Sequence, residues 1–258
     1  MINIMKRFLL RFVSGNSFKE EDEDFKSVPD DLKSKIFKNS LVFAKRVIDD
    51  YERKKESENL PNTNRHPILD VIWLLAKETQ YKYIGYMLFE PEKGRNNYVQ
   101  YSTLFFDSAE PITQDGKHIH DIVVKLNARR TIDLSKDLVF PWPWNMDRLV
   151  KCIANIGEDR WGGNWRQDNN HRIFIWLPIG VAWVSGGNHS ITAGILKGEG
   201  KITTDMVYDV SPLYKHVYCD GLYYRRLYDG SVISKVSKPE FAAIFEIGRI
   251  MVEKGISF

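Results

Sequence analysis

The stretch RIFIWLPIGVAWVSGGNHSITAGILK, residues 172–197, constrains the fold more than any other part of the chain. Its first half is rich in Ile, Val and Trp and is broken by Pro178 and Gly180, which predicts a hairpin of two apolar strands. The pattern that follows predicts a strand over 181–187 and a short helix over 190–197. A strand that turns on paired glycines into a helix leaves the first helical amides unpaired, with about half a positive charge at that end. Gly186 and Gly187 let a phosphate approach the backbone closely. Asn188, Ser190 and Thr192 add neutral donors, and His189 adds one that also moves protons. The junction is a candidate anion site. Read for packing alone, the same residues make a tight turn with Ser190 capping the helix.

Helical periodicity starts at Asp30, with Phe37, Leu41, Ala44, Ile48 and Tyr51 on one face. Pro67 opens a second helix, whose ILDVIWLLA is apolar on most sides and belongs at the centre of a fold. Residues 1–13 have the spacing of a short amphipathic helix, and FKEEDEDFK after them reads as an acidic connector. From about Tyr98 to Leu138 the period shifts to two, with NYVQYSTLFF and HDIVVKLNA as the clearest strands. VFPWPWN is extended, and Asn145 is placed to cap a helix bearing Met146, Leu149, Val150, Ile153 and Ile156. KITTDMVYDVSPLY supplies another strand. YYRRLYDGSVISKV predicts a hairpin turning at Asp229 and Gly230, and Ser237 with Glu240 predicts a capped last helix, Val236 stapling against Phe241.

A chain of 258 residues buries one good core, or a core with a smaller appended unit. A net charge of +3 is too small to assign nucleic-acid binding from charge alone. Cys152 and Cys219 lack metal-type spacing. Lys6, Arg7 and Arg11 interrupt what would be a signal peptide, and no apolar run reaches the length of a membrane span, so a cytoplasmic protein without membrane contact is expected.

The order of elements adds a resemblance. Extended DLVFPWPWN, helix MDRLVKCIANIG, a loop, a hairpin and then SGGNHSITAG at a helix start resemble the ParB/sulfiredoxin-like domain, over about residues 132–214. In that superfamily a glycine-led motif at a helix start holds nucleotide phosphates, and Gly186, Gly187 and His189 match its sulfiredoxin form. Asn188 stands where sulfiredoxins have their nucleophilic cysteine, which excludes sulfinic-acid repair. Ser190 stands where both forms have arginine, so the missing charge would come from Arg160 or Arg166. The resemblance implies an α+β fold with a ParB/sulfiredoxin-like mixed core. It divides the chain into an N-terminal helical and strand extension (1–128) and the core with a C-terminal β-hairpin and helix (129–258), within an otherwise uncharacterised bacterial family. It implies binding of a nucleotide or another phosphorylated ligand, with hydrolysis or phosphoryl transfer as the chemistry. The alternative is a non-catalytic protein-interaction module, set in phage–host conflict or plasmid maintenance by analogy with superfamily relatives. Nucleic-acid binding is the third reading.

Under this reading the loop EDRWGGNWRQDNNH flanks the site. Glu158 or Asp159 would act as general base or hold Mg²⁺ brought with a nucleotide, and Trp161 or Trp165 would stack on a base. A surface connection pinned by its tryptophans explains the same residues. His118 and His120 share a strand face but lack a third ligand, so no metal site is assigned. YYRRLYDG mixes bases and aromatics as single-strand binders do, and as exposed sheet faces do. G-x-S-x-G, P-loop and H-E-x-x-H motifs are missing from the sequence, so those hydrolase and NTPase classes lack support.

Overall fold

The computed structural model describes residues 28–58, 65–89 and 104–258. The expected helix over 1–13, the acidic connector and most of the strand expected at NYVQYSTLFF lie outside the described residues; Leu104, Phe105 and Phe106 form bends.

Two long helices come first, α1 (Asp30–Glu58) and α2 (Ile68–Phe89). Pro67 stands immediately before α2, where its missing N–H costs nothing. The strand expected at HDIVVKLNA is shorter than its pattern. Ile119–Ile122 is one helical turn, α3, and only Val124–Leu126 is extended, as β1. The Asp121 carboxylate accepts from the His118 N–H and so closes the turn that replaces the strand. His118 and His120 therefore sit on that turn, their rings stacked 5.5 Å apart.

The remaining elements are β2 (Arg130–Asp133), β3 (Leu138–Phe140), α4 (Met146–Asn155), β4 (Arg172–Leu177), β5 (Val181–Gly186), α5 (Asn188–Lys197), β6 (Lys201–Thr204) and β7 (Val207–Asp209). After a 3₁₀ turn (Ser211–Lys215) come β8 (Val217–Cys219), β9 (Tyr223–Arg226), β10 (Val232–Lys235) and α6 (Pro239–Glu253). The last helix begins differently from expectation. Lys238 is the N-cap and Pro239 opens the helix, its fixed φ suiting that position, while Glu240 accepts from the Thr79 hydroxyl of α2 at 3.3 Å.

Five strands form a mixed sheet in the order β1-β7-β4-β5-β3, with β2–β6 and β8–β9–β10 as separate small antiparallel sheets. Alternation along the central strands explains why their sequence is almost continuously apolar. Phe174, Trp176, Val181, Trp183, Leu138 and Phe140 face a large cluster shared with α1, α2 and α6. Ile173, Ile175, Leu177, Ala182 and Val139 face a smaller one closed by Ile191 of α5, Trp165, and Ile132 and Ile202 of the β2–β6 pair. The larger cluster draws residues from both sides of residue 128. Much of the aromatic content fills it: Phe245 meets Phe105, Tyr214 and Tyr224 at ring separations of 5.1, 5.0 and 5.5 Å. The edge strand β3 is covered by the buried Gln80 of α2, whose amide donates to the Val139 carbonyl at 2.7 Å.

Candidate functional site

Strands β3 and β5 run parallel and adjacent, so their carboxyl ends lie on one edge of the sheet. Each leads into a ten-residue helix, β3 through residues 141–145 into α4 and β5 through Gly187 into α5. The two helices lie side by side and point the same way. Asn145 N–H, at the start of α4, donates to His189 Nε2 at the start of α5 at 3.1 Å, and a Cβ at Gly157, beyond the end of α4, would touch Lys197 at the end of α5. Two helix N-termini, each carrying about half a positive charge, therefore converge at His189.

The motif residues hold this junction together. Gly187 is the N-cap of α5 with φ 76°, a left-handed conformation that favours glycine. A Cβ there would lie 2.4 Å from His171 Cδ2, so the position also needs the space. Asn188 Oδ1 accepts from Trp142 N–H at 2.6 Å, and Thr192 donates to the Asn188 carbonyl at 2.8 Å. Asn145 caps α4 as its sequence position predicts, its side chain accepting from Arg148 N–H at 2.9 Å. The amides of Asn188, His189 and Ser190 make no hydrogen bond to a described residue.

His189 is buried, and burial pushes its imidazole below the ordinary value, with Arg148 adding to the shift. Because Nε2 accepts a backbone N–H, the neutral ring carries its proton on Nδ1, which has no hydrogen-bond partner among the described residues. Arg148 lies over the half-exposed Trp144 ring at 4.8 Å, and that ring meets His189 edge-on at 5.3 Å. Neither Arg148 nor Trp144 was singled out by the sequence. The three-residue spacing from the Asn145 cap to Arg148 is the signal that points at them.

Ser190, His171 and Asp168 form a chain that resembles a nucleophilic triad in composition. Ser190 Oγ is 2.6 Å from His171 Nε2, and His171 Nδ1 is 3.1 Å from an Asp168 carboxylate oxygen. The hydrogen directions run the other way. Asp168 N–H donates to Nδ1 at 2.8 Å, so the neutral ring is protonated on Nε2 and donates to Ser190, whose hydroxyl donates onward to the Gly187 carbonyl at 3.1 Å. Burial holds His171 below its ordinary value, in keeping with a neutral ring. The chain fixes the turn and does not activate a nucleophile.

The tryptophan loop is divided by the fold. Its first half lies at the far ends of α4 and α5, about 15 Å from His189 for helices of this length. There Arg160 donates to the Ile153 and Ile156 carbonyls, closing the end of α4, while Glu158 and Asp159 are exposed and Trp161 is 95% exposed. Among the described residues no group of three His, Cys, Asp or Glu side chains is placed to hold a metal ion. Trp165 is buried under α5, donating to the Ser190 carbonyl at 2.8 Å, with its ring against Gly194 and Gly200. Arg166 is exposed beside Gln167, which pairs with the backbone of Thr203 through both side-chain amide atoms. The arginines of YYRRLYDG are occupied: Arg225 pairs with Asp220, and Arg226 with Glu110 and the Pro111 carbonyl.

A comparison with sequence families matches residues 16–258 to a family described as of unknown function, DUF6710. The chain belongs to DUF6710. No curated protein and no solved structure matches it. For this DUF6710 member the junction of α4 and α5 thus stands on its own geometry. Among the described residues no helix is long and apolar enough to cross a membrane.

Proposed function

We propose that the chain binds a phosphorylated ligand, a nucleotide in the first instance, where the N-termini of α4 and α5 converge. The observation behind this reading is the set of donors left at the junction. Among the described residues three α5 amides and the His189 Nδ1–H have no hydrogen-bond partner, and Arg148 stands beside them without a carboxylate partner. A helix N-terminus with unpaired amides is by itself a common place for an anion, and two such termini meet here. The Trp144 ring, already stacked with Arg148, offers a platform for a base. Resemblance to the ParB/sulfiredoxin-like domain supports the nucleotide part of the reading. In this reading Arg148 takes the charge-supplying role expected of Arg160 or Arg166, and Mg²⁺ enters with the phosphates. In hydrolysis or phosphoryl transfer His189 would serve as a neutral Nδ1–H donor to a phosphate oxygen and not as a base, because Nε2 is engaged by the Asn145 N–H and burial holds the ring neutral near pH 7.

Isothermal titration with ATP, CTP and GTP, each with and without Mg²⁺, tests the reading. Binding that is weakened at least tenfold by Arg148→Ala and unchanged by Arg166→Ala is expected. Absence of binding by all three at millimolar concentration would overturn it. A second reading, protein interaction without catalysis, is favoured by the nearly full exposure of the Trp161 indole. A partner whose capture depends on Trp161, by a chain that binds no nucleotide, would establish that reading instead.

A further inference from the structure

The sheet edge that carries the two helix N-termini continues past them. Strand β4 is antiparallel to β5, β7 is parallel to β4 and β1 is antiparallel to β7. The starts of β4 and β7 and the end of β1 consequently lie on the same edge as the end of β5. There they enclose a groove of about 410 Å³, lined in part by Arg129, His171, Arg172, Ile173, Asp205 and Met206. That volume is within the range of small-ligand sites.

We propose that this groove holds one sugar–phosphate unit of a single-stranded oligonucleotide whose neighbouring unit lies at the N-terminus of α5. The guanidinium groups of Arg129 and Arg172 make no hydrogen bond or ion pair with a described residue, and the Asp205 carboxylate has no cationic partner among them. Arginines and a carboxylate left apart in one groove match a ligand with an anionic group at one end and donors at the other. Guanidinium forks grip a phosphate oxygen pair, and the carboxylate accepts from a sugar hydroxyl or a base N–H. Buried Ile173 and half-buried Met206 supply an apolar floor that adapts to a sugar or a base.

His171 joins the two places. One side of its ring touches Gly187 at the α5 N-terminus and another lines the groove, with both ring nitrogens already engaged by Asp168 N–H and Ser190. It is a fixed wall between two anion-attracting sites. Strand spacing of about 4.8 Å sets those sites roughly 5–10 Å apart along the edge. One mononucleotide phosphate does not serve both; consecutive units of a strand do. This inference rests on the proposed helix-terminus site for one end of the ligand only.

The test is fluorescence anisotropy or calorimetry on the full chain with thymidine monophosphate and with two-, four- and eight-residue oligothymidylates, at several salt concentrations. The four-residue strand is expected to bind at least tenfold more tightly than the monophosphate. Arg129→Ala combined with Arg172→Ala should abolish that gain, leave monophosphate binding unchanged and lower the salt slope by about 0.7, for the one phosphate no longer neutralised in the groove. Both arginines are exposed, so the melting temperature should stay within about 2 °C of the parent. Equal affinity for the monophosphate and the four-residue strand, or a length gain retained in the double variant, would overturn the proposal. If the strand binds through Arg129 and Arg172 while Arg148→Ala changes nothing, the groove stands and the helix-terminus reading falls. If Arg148→Ala weakens the monophosphate but length adds nothing, the reverse holds.

Discussion

Asn188, in the first turn of α5, accepts the backbone N–H of Trp142 at 2.6 Å and so ties the end of β3 to the helix that follows β5. Removing the acceptor in Asn188→Ala leaves that part-buried amide unpaired and should cost about 1–3 kcal/mol of stability. Asn188→Asp keeps an acceptor and adds a negative charge where two helix dipoles favour one, so it should stay close to the parent in stability. The same carboxylate occupies the anion site electrostatically. Nucleotide affinity should fall in Asn188→Asp although the fold is retained. Denaturant melts combined with titration calorimetry read both effects, and undiminished affinity in Asn188→Asp would place the ligand elsewhere.

His66, His171 and His189 are each held below their ordinary value of 6.5, in every case first by burial. Glu52 and Asp168 oppose the shift at the first two, and Arg148 reinforces it at the third. Below about pH 6.5 the unfolded chain takes up protons that the folded chain refuses, so stability is complete above that pH and is lost as pH falls toward the folded values. Asp137 acts in the opposite sense at lower pH, because burial raises its carboxyl despite Arg65 and the Asp133 amide. The melting temperature should therefore fall between pH 7.5 and 5.5. A flat or rising profile over that interval would contradict the neutral, buried histidines.

Gly187 and Gly230 have nearly the same positive φ, 76° and 72°, in different surroundings. A Cβ at Gly230, the hairpin tip, meets nothing within 4 Å, whereas one at Gly187 runs into His171. Gly230→Ala should cost about 1 kcal/mol from the left-handed backbone alone, and Gly187→Ala about 3 kcal/mol from the same strain plus overpacking. Equal losses in chemical denaturation would mean that His171 moves aside freely.

Arg160 and Trp161 are neighbours with opposite expected behaviour. Arg160 satisfies carbonyls at the end of α4, so Arg160→Ala should destabilise by about 1–2 kcal/mol. Trp161, 95% exposed, should change stability by less than about 0.5 kcal/mol on replacement by Ala. Neither substitution should alter nucleotide affinity, since both residues lie a helix length from His189. A nucleotide-dependent quench of Trp161 fluorescence would bring the loop back to the site.

Local chemistry made several elements readable in the sequence alone. Apolar spacing marked α1 and α2, Asn145 marked the start of α4, paired β-type runs around Pro178 and Gly180 marked the β4–β5 hairpin, and Asp229 with Gly230 marked the β9–β10 turn. Each depends on residues within a few positions of one another, where periodicity, capping and turn geometry act directly. The entry of β5 through Gly187 into α5 was legible for the same reason, one residue from its expected strand end and two from its expected helix start. Where short-range cues compete, the sequence misled: the alternation at 120–128 reads as a strand, yet the Asp121 carboxylate closes a helical turn over its first residues. Tertiary structure alone decided that α4 and α5 run parallel, because that follows from β3 and β5 being neighbours in the sheet. It carried Arg160 away to a helix end and set Arg148 beside His189 in its place. It also gathered Arg129, Arg172 and Asp205 into one groove. Those three are far apart in the chain, and only strand order, set by which apolar faces bury together, brings their backbones to the same edge.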